Sequence, residues 1–315
     1  MRKQILVAAA MTVFASPAGS AGTARQWQPP AGAAQIPLWP AGLAIAEPEI
    51  TGPETVKTGG AIAGRPVTSI ANVARPTMTI YPAKGRNTGA AVMVYPGGGY
   101  QILAIDLEGT EVCDWLTAKG ITCVVVKYRV PQTWWPKDGG PQRAPKIQMA
   151  LQDAERAMAL LRQRAKRLRI DPHKIGVLGF SAGGHLVTAI SNATARHYDS
   201  VDAADRESAR PDFAVALYPG HLWQGERSGQ GMELYPFDRI SSSAPPTFIA
   251  QAQDDPTDDV RNSIAYFLAL RTAKVPVEMH IYAKGGHAFG LRPTAAPITR
   301  WPALVEKWLR TIGMI

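Results

Sequence analysis

The chain has 315 residues, of which 46% are apolar, and this content is enough for one domain with a buried core. Its formal net charge is +9, and many of the basic side chains lie in residues 162–169. Apolar residues recur at helical spacing from Ile147 to Leu168, so these basic side chains fall on the exposed face of an amphipathic helix. No nucleic-acid-binding motif accompanies the charge, which disfavours a nucleic-acid partner.

The N-terminal residues have the three regions of a secretory signal peptide. Arg2 and Lys3 supply positive charge, an apolar run extends from Ile5 to Ala15, and small residues occupy positions 18–21. The apolar run is shorter than the roughly 20 residues that a membrane span needs. We therefore expect residues 1–21 to be removed, leaving a mature protein without a membrane span in the periplasm or outside the cell. An ordinary N-terminal helix is the alternative.

Residues 22–75 are rich in Pro, Gly and Ala, and they predict an irregular segment packed on a catalytic domain of residues 76–315. In that domain, short apolar runs predict strands at 77–81, 90–95, 121–128, 174–180, 213–218, 247–251 and 277–282. Helical patterns lie at 110–118, 147–168, 184–192, 260–272 and 301–311. This alternation predicts an α/β fold with a mostly parallel central sheet and helices on both of its faces.

A serine between glycines follows the strand predicted at 174–180. The segment reads Gly179-Phe180-Ser181-Ala182-Gly183, and a helical pattern comes after it. A strand, a Gly-x-Ser-x-Gly turn and a helix together make the nucleophile elbow of an α/β-hydrolase. An isolated Gly-x-Ser-x-Gly can also be a plain strand-to-helix turn, so the assignment of Ser181 as a nucleophile depends on finding its partners.

A nucleophilic serine needs a histidine base and a carboxylate, and in α/β-hydrolases they follow in the order Ser, acid, His. His287 lies in a glycine-rich loop after the last predicted strand and is our candidate base. His185, on the helix leaving the elbow, is interpreted as a packing residue. Four aspartates follow the strand at 247–251, and Asp255, which directly precedes a proline, is our candidate acid. The others, Asp254, Asp258 and Asp259, are read as turn or helix-capping residues.

The segment Pro96-Gly97-Gly98-Gly99-Tyr100 follows a predicted strand and resembles the His-Gly-Gly-Gly loop of esterases. Because glycines allow close approach of backbone N–H groups, we assign an oxyanion hole to Gly98, Gly99 and Ala182. Glu108 either orients this glycine loop by hydrogen bonds or has no chemical role.

Two cysteines and three tryptophans leave alternatives open. Cys113 and Cys123 fall in a predicted helix and a buried strand, where free thiols are favoured over a disulfide. Loop residues Trp134, Trp135 and Trp223 either stack on sugar rings or pin long loops to the core. No set of side chains has the spacing of a metal site, and neither a metal nor another cofactor is expected.

The motifs in combination resemble the α/β-hydrolase family of bacterial carbohydrate esterases, called acetylxylan-esterase-like or feruloyl-esterase-like. The resemblance covers residues 36–313 and rests on 75–77, 96–100, 108–109, 127–131, 152–153, 156–157, 175–186, 210–213, 218–219, 254–256, 262–263 and 285–287. It implies that Ser181, Asp255 and His287 form the catalytic triad. One departure is Thr257-Asp258-Asp259, where the family usually carries small apolar residues.

The function expected from these residues is hydrolysis of a small-molecule or polysaccharide ester by a serine esterase, most simply removal of acetyl groups from xylan-type carbohydrate. The alternatives are a feruloyl or general short-chain carboxylesterase, a serine peptidase of related fold, and a non-catalytic binding module. The sequence does not indicate an oligomeric state.

Overall fold

The computed structural model describes residues 26–30, 32–132, 147–226, 229–235 and 239–315. Its strands are β1 (Gln35–Pro37), β2 (Thr55–Ile62), β3 (Arg65–Ala71), β4 (Thr77–Tyr81), β5 (Ala91–Tyr95), β6 (Ile102–Leu103), β7 (Thr122–Lys127), β8 (Ile175–Phe180), β9 (Ala214–Leu217), β10 (Thr247–Ala252) and β11 (Val277–Tyr282). Its α-helices are α1 (Glu111–Ala118), α2 (Gln148–Gln163), α3 (Ala165–Leu168), α4 (Ala182–Asn192), α5 (Arg261–Thr272) and α6 (Trp301–Thr311).

The main sheet has the strand order β1-β4-β7-β5-β8-β9-β10-β11. From β7 to β11 in this order each strand is parallel to the next, whereas β4 is antiparallel to both of its neighbours. All side chains of β5, β7, β8 and β10 are buried. Because successive side chains of a strand point to opposite faces, both faces of the sheet are covered. The predicted mostly parallel sheet is confirmed.

The helices pack against this sheet close to where the sequence predicts them. Helix α1 contacts β7, α4 contacts β8 and β9, and α5 contacts β10 and β11. The helix predicted at 147–168 is divided at Arg164 into α2 and α3. Within the described ranges, no helix combines the length and the apolar character that crossing a bilayer requires.

The structure joins Cys113 and Cys123 in a disulfide, so the expectation of free thiols is wrong. Packing of α1 on β7 brings the two Cα atoms to 5.2 Å, which is within the range that a disulfide needs. This distance depends on how the helix is seated on the strand, and the sequence separation of 10 residues does not reveal it.

The N-terminal segment is more regular than its composition predicts. It contains β1, which pairs with β4, and the antiparallel hairpin of β2 and β3, which turns at Ala63 and Gly64 with positive φ at both residues. Strand β3 also pairs with β6, which forms a second small sheet. Most side chains of β2 are exposed, so this strand lacks the apolar run by which the others are recognised.

Buried polar side chains attach the N-terminal segment to the main sheet. The carboxylate of Asp153 on α2 accepts hydrogen bonds from Trp39 Nε1 at 2.8 Å and from Arg129 Nε at 2.9 Å. Glu54 and Lys127 form an ion pair with an N–O distance of 2.8 Å, and both side chains are buried. A buried charge is tolerated only when it is paired, so each of these contacts ties the segment to a defined place on the domain.

Candidate active site

Ser181 lies at a sharp turn between the end of β8 and the first residue of α4. Its φ of 52° and ψ of −121° are unusual for a residue with a side chain. A Cβ at Gly179 would lie 2.1 Å from the carbonyl oxygen of Gly183, and a Cβ at Gly183 would lie 2.0 Å from that of Tyr95. The turn therefore needs glycine at both positions, as the Gly-x-Ser-x-Gly pattern predicts.

The structure brings Ser181, His287 and Asp255 together, although they are far apart in the sequence. The distance from Ser181 Oγ to His287 Nε2 is 3.0 Å, and that from His287 Nδ1 to Asp255 Oδ2 is 2.7 Å. The Asp255 side chain is fully buried, and the His287 side chain is 16% exposed. Both distances are those of hydrogen bonds, so the imidazole can accept the serine proton while the carboxylate holds its opposite nitrogen.

A tight turn after β10 fixes the Asp255 carboxylate. Its Oδ1 accepts hydrogen bonds from the backbone N–H groups of Thr257 at 2.8 Å and Asp258 at 3.0 Å. Only Oδ2 then faces the imidazole of His287. The turn therefore presents one oxygen to the histidine in a fixed orientation.

Asp254, the neighbour of the candidate acid, contacts the other loop. Its Oδ1 accepts hydrogen bonds from the backbone N–H groups of Gly285 and Gly286, each at 2.9 Å. These glycines directly precede His287 in the sequence. Asp254 is thus a turn residue, as predicted, and it also ties the loop after β11 to the loop after β10.

Two opposing effects act on the imidazole of His287. Burial lowers its pKa, while the hydrogen bond to Asp255 and the negative charges of Asp255, Asp258 and Glu108 raise it. The net effect is a pKa above the ordinary histidine value. The site therefore favours the imidazolium form that a general base adopts after it has taken a proton.

The glycine loop after β5 lies against the serine. A Cβ at Gly97 would lie 3.0 Å from Ser181 Cβ and 2.5 Å from the carbonyl oxygen of Phe180. Gly98 and Gly99 have φ values of 131° and 59°, which residues with side chains rarely adopt. The loop can therefore pass close to Ser181 because these positions are glycines.

Glu108 is buried and holds the glycine loop from behind. Its Oε2 accepts a hydrogen bond from Gly97 N at 2.7 Å, and its Oε1 accepts one from Tyr218 Oη at 2.8 Å. Burial raises the pKa of this carboxyl group, and the two hydrogen bonds oppose that effect. Of the two alternatives drawn from the sequence, the structure supports the orienting one. It also adds Tyr218, whose ring packs on the His287 ring with centroids 4.8 Å apart.

Asp258 lies beside Ser181, whereas the sequence predicts a turn or helix-capping residue at this position. Its Oδ2 is 3.3 Å from Ser181 Oγ and 3.8 Å from His287 Nε2. Asp259 instead pairs with Arg261 at 2.6 Å. The one sequence signal for this difference is the departure from the family pattern at Thr257-Asp258-Asp259.

The remaining candidate residues, His185 and three tryptophans, differ in how their surroundings fit the roles predicted for them. His185 is buried and bonds to Tyr100 Oη through Nδ1 at 2.8 Å, in agreement with the packing role predicted for it. Trp223 is 1% exposed, its Nε1 donates to Gly231 O at 3.0 Å, and Arg261 covers its ring at 3.9 Å. A ring so covered has no face free for a sugar, so the loop-pinning alternative applies to it. Trp134 and Trp135 lie outside the described residues.

A known protein family matches much of the chain. The sequence profile of the prolyl oligopeptidase family matches residues 142–312, which is more than half of the chain. The chain belongs to the prolyl oligopeptidase family of α/β-hydrolases. The predictions of an α/β-hydrolase fold and of a hydrolase are confirmed.

Two relatives of the chain have the names of ester hydrolases. It is 32% identical over 222 residues to an acetylxylan esterase of Xylanibacter ruminicola, a match covering 64% of this chain and 42% of the relative. It is 26% identical over 231 residues to an ethyl acetate hydrolase of Pseudomonas putida, covering 64% of this chain and 66% of the relative. The chain thus corresponds to less than half of the acetylxylan esterase.

A solved structure matches nearly its full length. The acetyl ester-xyloside bifunctional hydrolase of Caldicellulosiruptor lactoaceticus is 32% identical with a TM-score of 0.68, and the match covers 90% of this chain and 97% of that one. Within the described residues, no group of three or more His, Cys, Asp or Glu side chains has the arrangement of a metal site.

Proposed function

We propose that this chain is a serine esterase that removes acetyl groups from decorated carbohydrate of the xylan type through an acyl-enzyme intermediate. The observation that carries the proposal is the hydrogen-bonded chain from Ser181 Oγ through His287 to Asp255. These residues follow one another in the order Ser, acid, His, and each lies just after a strand of the parallel sheet.

In the first half of the reaction, Ser181 Oγ attacks the ester carbonyl while its proton moves to His287 Nε2. Asp255 accepts the hydrogen bond from Nδ1–H, so the imidazole keeps the tautomer in which Nε2 is free to take a proton. The negative charge that develops on the carbonyl oxygen is stabilised by backbone N–H groups, which we assign to Gly98, Gly99 and Ala182. The imidazolium then donates its proton to the leaving alcohol, and the acetyl group remains on Ser181.

In the second half, a water molecule replaces the alcohol. His287 takes a proton from this water, which attacks the acetyl carbonyl, and the tetrahedral intermediate collapses as His287 returns the proton to Ser181 Oγ. The products are acetate and free enzyme. Every proton therefore passes through one nitrogen, Nε2 of His287.

The names of two relatives support an acetylated xylan-type substrate: the Xylanibacter ruminicola acetylxylan esterase and the Caldicellulosiruptor lactoaceticus acetyl ester-xyloside hydrolase. The Pseudomonas putida ethyl acetate hydrolase favours a second candidate, a general short-chain carboxylesterase. The two differ in the alcohol rather than in the chemistry. A feruloyl esterase and a serine peptidase are the further alternatives that the same triad could serve.

The decisive measurement is turnover of four substrates side by side: acetylated xylan, an aryl acetate, a feruloyl ester and a prolyl peptide amide. We expect release of acetate from xylan and from the aryl ester, with little activity on the other two. The Ser181→Ala variant should fold normally and retain less than about one hundredth of the wild-type rate. Equal activity of the variant would remove Ser181 from the mechanism, and a preference for the peptide would replace the esterase by a peptidase.

We also propose that residues 1–21 are a signal peptide and that the mature enzyme acts outside the cytoplasm. The charged, apolar and small-residue regions support this, and the Cys113–Cys123 disulfide suits an oxidising compartment. N-terminal sequencing of the protein from its native host should give a start near Gly22. A start at Met1 would contradict the proposal.

A further inference from the structure

The catalytic serine and histidine of the proposed mechanism have a second carboxylate next to them. Asp258 Oδ2 lies 3.3 Å from Ser181 Oγ and 3.8 Å from His287 Nε2, and Asp258 is 5% exposed. Asp255 contacts the opposite nitrogen, Nδ1. The imidazole of His287 therefore lies between two carboxylates, one near each ring nitrogen.

The fold holds Asp258 firmly in this place. Its backbone N–H donates to Asp255 Oδ1 at 3.0 Å, and its backbone carbonyl accepts from Gln251 Nε2 at 2.6 Å. Its carboxylate lies so close to Gly220 that a Cβ on that glycine would be 2.3 Å from Oδ1. The turn after β10 thus places a carboxylate on each side of the His287 ring. The loop after β9 leaves room for the Asp258 carboxylate because residue 220 is a glycine.

We propose that Asp258 is a further catalytic residue, which stabilises the protonated His287 from the Nε2 side and so sets the lower pH limit of activity. The inference rests on the proposed function, since it concerns the same proton transfer. The Ser181 hydroxyl has one proton, and in the resting site it can donate it to His287 Nε2 or to Asp258 Oδ2.

The sign of the effect follows from charge. Before the serine proton moves, His287 is neutral and gains little from a nearby carboxylate. After the transfer, the Nε2–H group carries positive charge beside the Asp258 carboxylate, so the carboxylate favours the protonated form. Because the protonated form is favoured, His287 is a stronger base. As the pH falls, His287 of the free enzyme is also protonated earlier, so the acid limb of activity lies at a higher pH than it would without Asp258.

Other groups that face His287 do not replace this effect. Those that act on it or touch it are Asp255, Asp258, Glu108, Tyr218 and His221. Burial and the neighbouring imidazoles hold the pKa of His221 at about 3, so it is neutral at working pH. Tyr218 is also neutral, because burial raises its pKa. The remaining groups are the three carboxyl groups, and Asp258 is the one facing the nitrogen that carries the transferred proton.

The experiment compares Asp258→Asn with Asp259→Asn. Both replace a carboxyl group of the same turn by an amide, but the Asp259 carboxylate pairs with Arg261 rather than with Ser181 or His287. The pH dependence of kcat/KM is measured with a neutral aryl acetate. In Asp258→Asn we expect the acid limb to move to lower pH by about one unit or more. In Asp259→Asn we expect it to stay at the wild-type position.

The same shift is measured without turnover by proton NMR titration of the His287 ring, assigned by the resonance that is missing in His287→Gln. We expect His287 in Asp258→Asn to titrate at lower pH than in the wild type. If the asparagine variant does not melt cooperatively, Asp258→Ser provides the same comparison.

An unmoved acid limb and an unmoved NMR titration in a folded variant would overturn the inference and leave Asp258 a structural residue. A shift to higher pH would overturn it as well. Absence of ester hydrolysis by the wild type would instead count against the proposed function, and the NMR titration would still decide whether Asp258 acts on His287.

Discussion

The sharpest prediction concerns Asp255→Asn, because the structure fixes how the new side chain must sit. Two backbone N–H groups, from Thr257 and Asp258, point at Oδ1 of Asp255. The asparagine must keep its oxygen there, since an amide NH₂ would set donors against donors. Its NH₂ group then faces His287 Nδ1, which has to become an acceptor. The ring proton moves to Nε2, where it faces Ser181.

The consequence is a folded enzyme with its base in the wrong tautomer. A base that already carries a proton on Nε2 cannot take one from the serine, so we expect kcat/KM to fall by roughly 10³- to 10⁴-fold. At about 1.36 kcal/mol per factor of ten, this is a loss of about 4–5.5 kcal/mol of transition-state stabilisation. The melting temperature should change little, because the turn keeps both of its N–H hydrogen bonds to Oδ1.

Asp254→Asn is the matched control. The Asp254 carboxylate accepts hydrogen bonds from the N–H groups of Gly285 and Gly286 through Oδ1, and the amide oxygen of an asparagine can accept both. The change removes only the exposed contact to Lys284 at 3.6 Å, which contributes little. We therefore expect kcat/KM of Asp254→Asn to stay within about fivefold of the wild type.

The assay is steady-state hydrolysis of an aryl acetate at saturating and subsaturating concentrations, together with thermal melting of each variant. The assignment of the acid would be refuted if Asp255→Asn kept more than about a tenth of wild-type kcat/KM, since a wrong tautomer costs far more. It would also be refuted if Asp254→Asn were the more damaging change.

Three more predictions test other parts of the site and fold. Glu108→Ala leaves a buried N–H of the glycine loop unpaired, and should lower the free energy of unfolding by about 1–3 kcal/mol and kcat by about a hundredfold; denaturant titration and turnover measure both. Gly183→Ala would place a Cβ 2.0 Å from a β5 carbonyl oxygen, so the elbow must shift, and activity should be lost with destabilisation of about 1–3 kcal/mol; a fully active variant would contradict the packing argument. Arg156 holds the pKa of Asp202 below its usual value, so the stability from this pair is present at neutral pH and is lost as the pH falls through the lower, folded-state pKa. The melting temperatures of wild type and Asp202→Asn should therefore differ at pH 7 and converge as the pH falls below the lowered pKa of Asp202.

The sequence predicts the central strands well because they are buried on both faces. Strands β5 and β8 end at the predicted residues and begin one residue after the predicted ones, since apolar runs bounded by turn residues mark them. The β2–β3 hairpin escapes prediction for the opposite reason: most of β2 is exposed, so no apolar period signals it. A composition rich in Pro, Gly and Ala therefore predicts irregular structure correctly only where the segment has no neighbouring strand to pair with.

The site divides in a similar way. Ser181 and His287 are recognisable because each lies between glycines at the end of a predicted strand. The partners of Asp258 and the burial of Trp223 are not recognisable, because both depend on how separate loops meet above the sheet. The Cys113–Cys123 pairing belongs to the same group, since the seating of a helix on a strand decides it.

The glycine loop and the histidine are coupled through one buried carboxylate. Glu108 accepts hydrogen bonds from Gly97 in the glycine loop and from Tyr218 at the end of β9, and the Tyr218 ring packs against His287. The position of the loop is therefore linked to the contact between Tyr218 and His287. Catalysis by acyl transfer requires the oxyanion donors and the base to be held in place together before the substrate arrives. A single buried side chain links the two parts, directly to the loop and through Tyr218 to the histidine, and this accounts for a carboxyl group in a place where its burial is otherwise unfavourable.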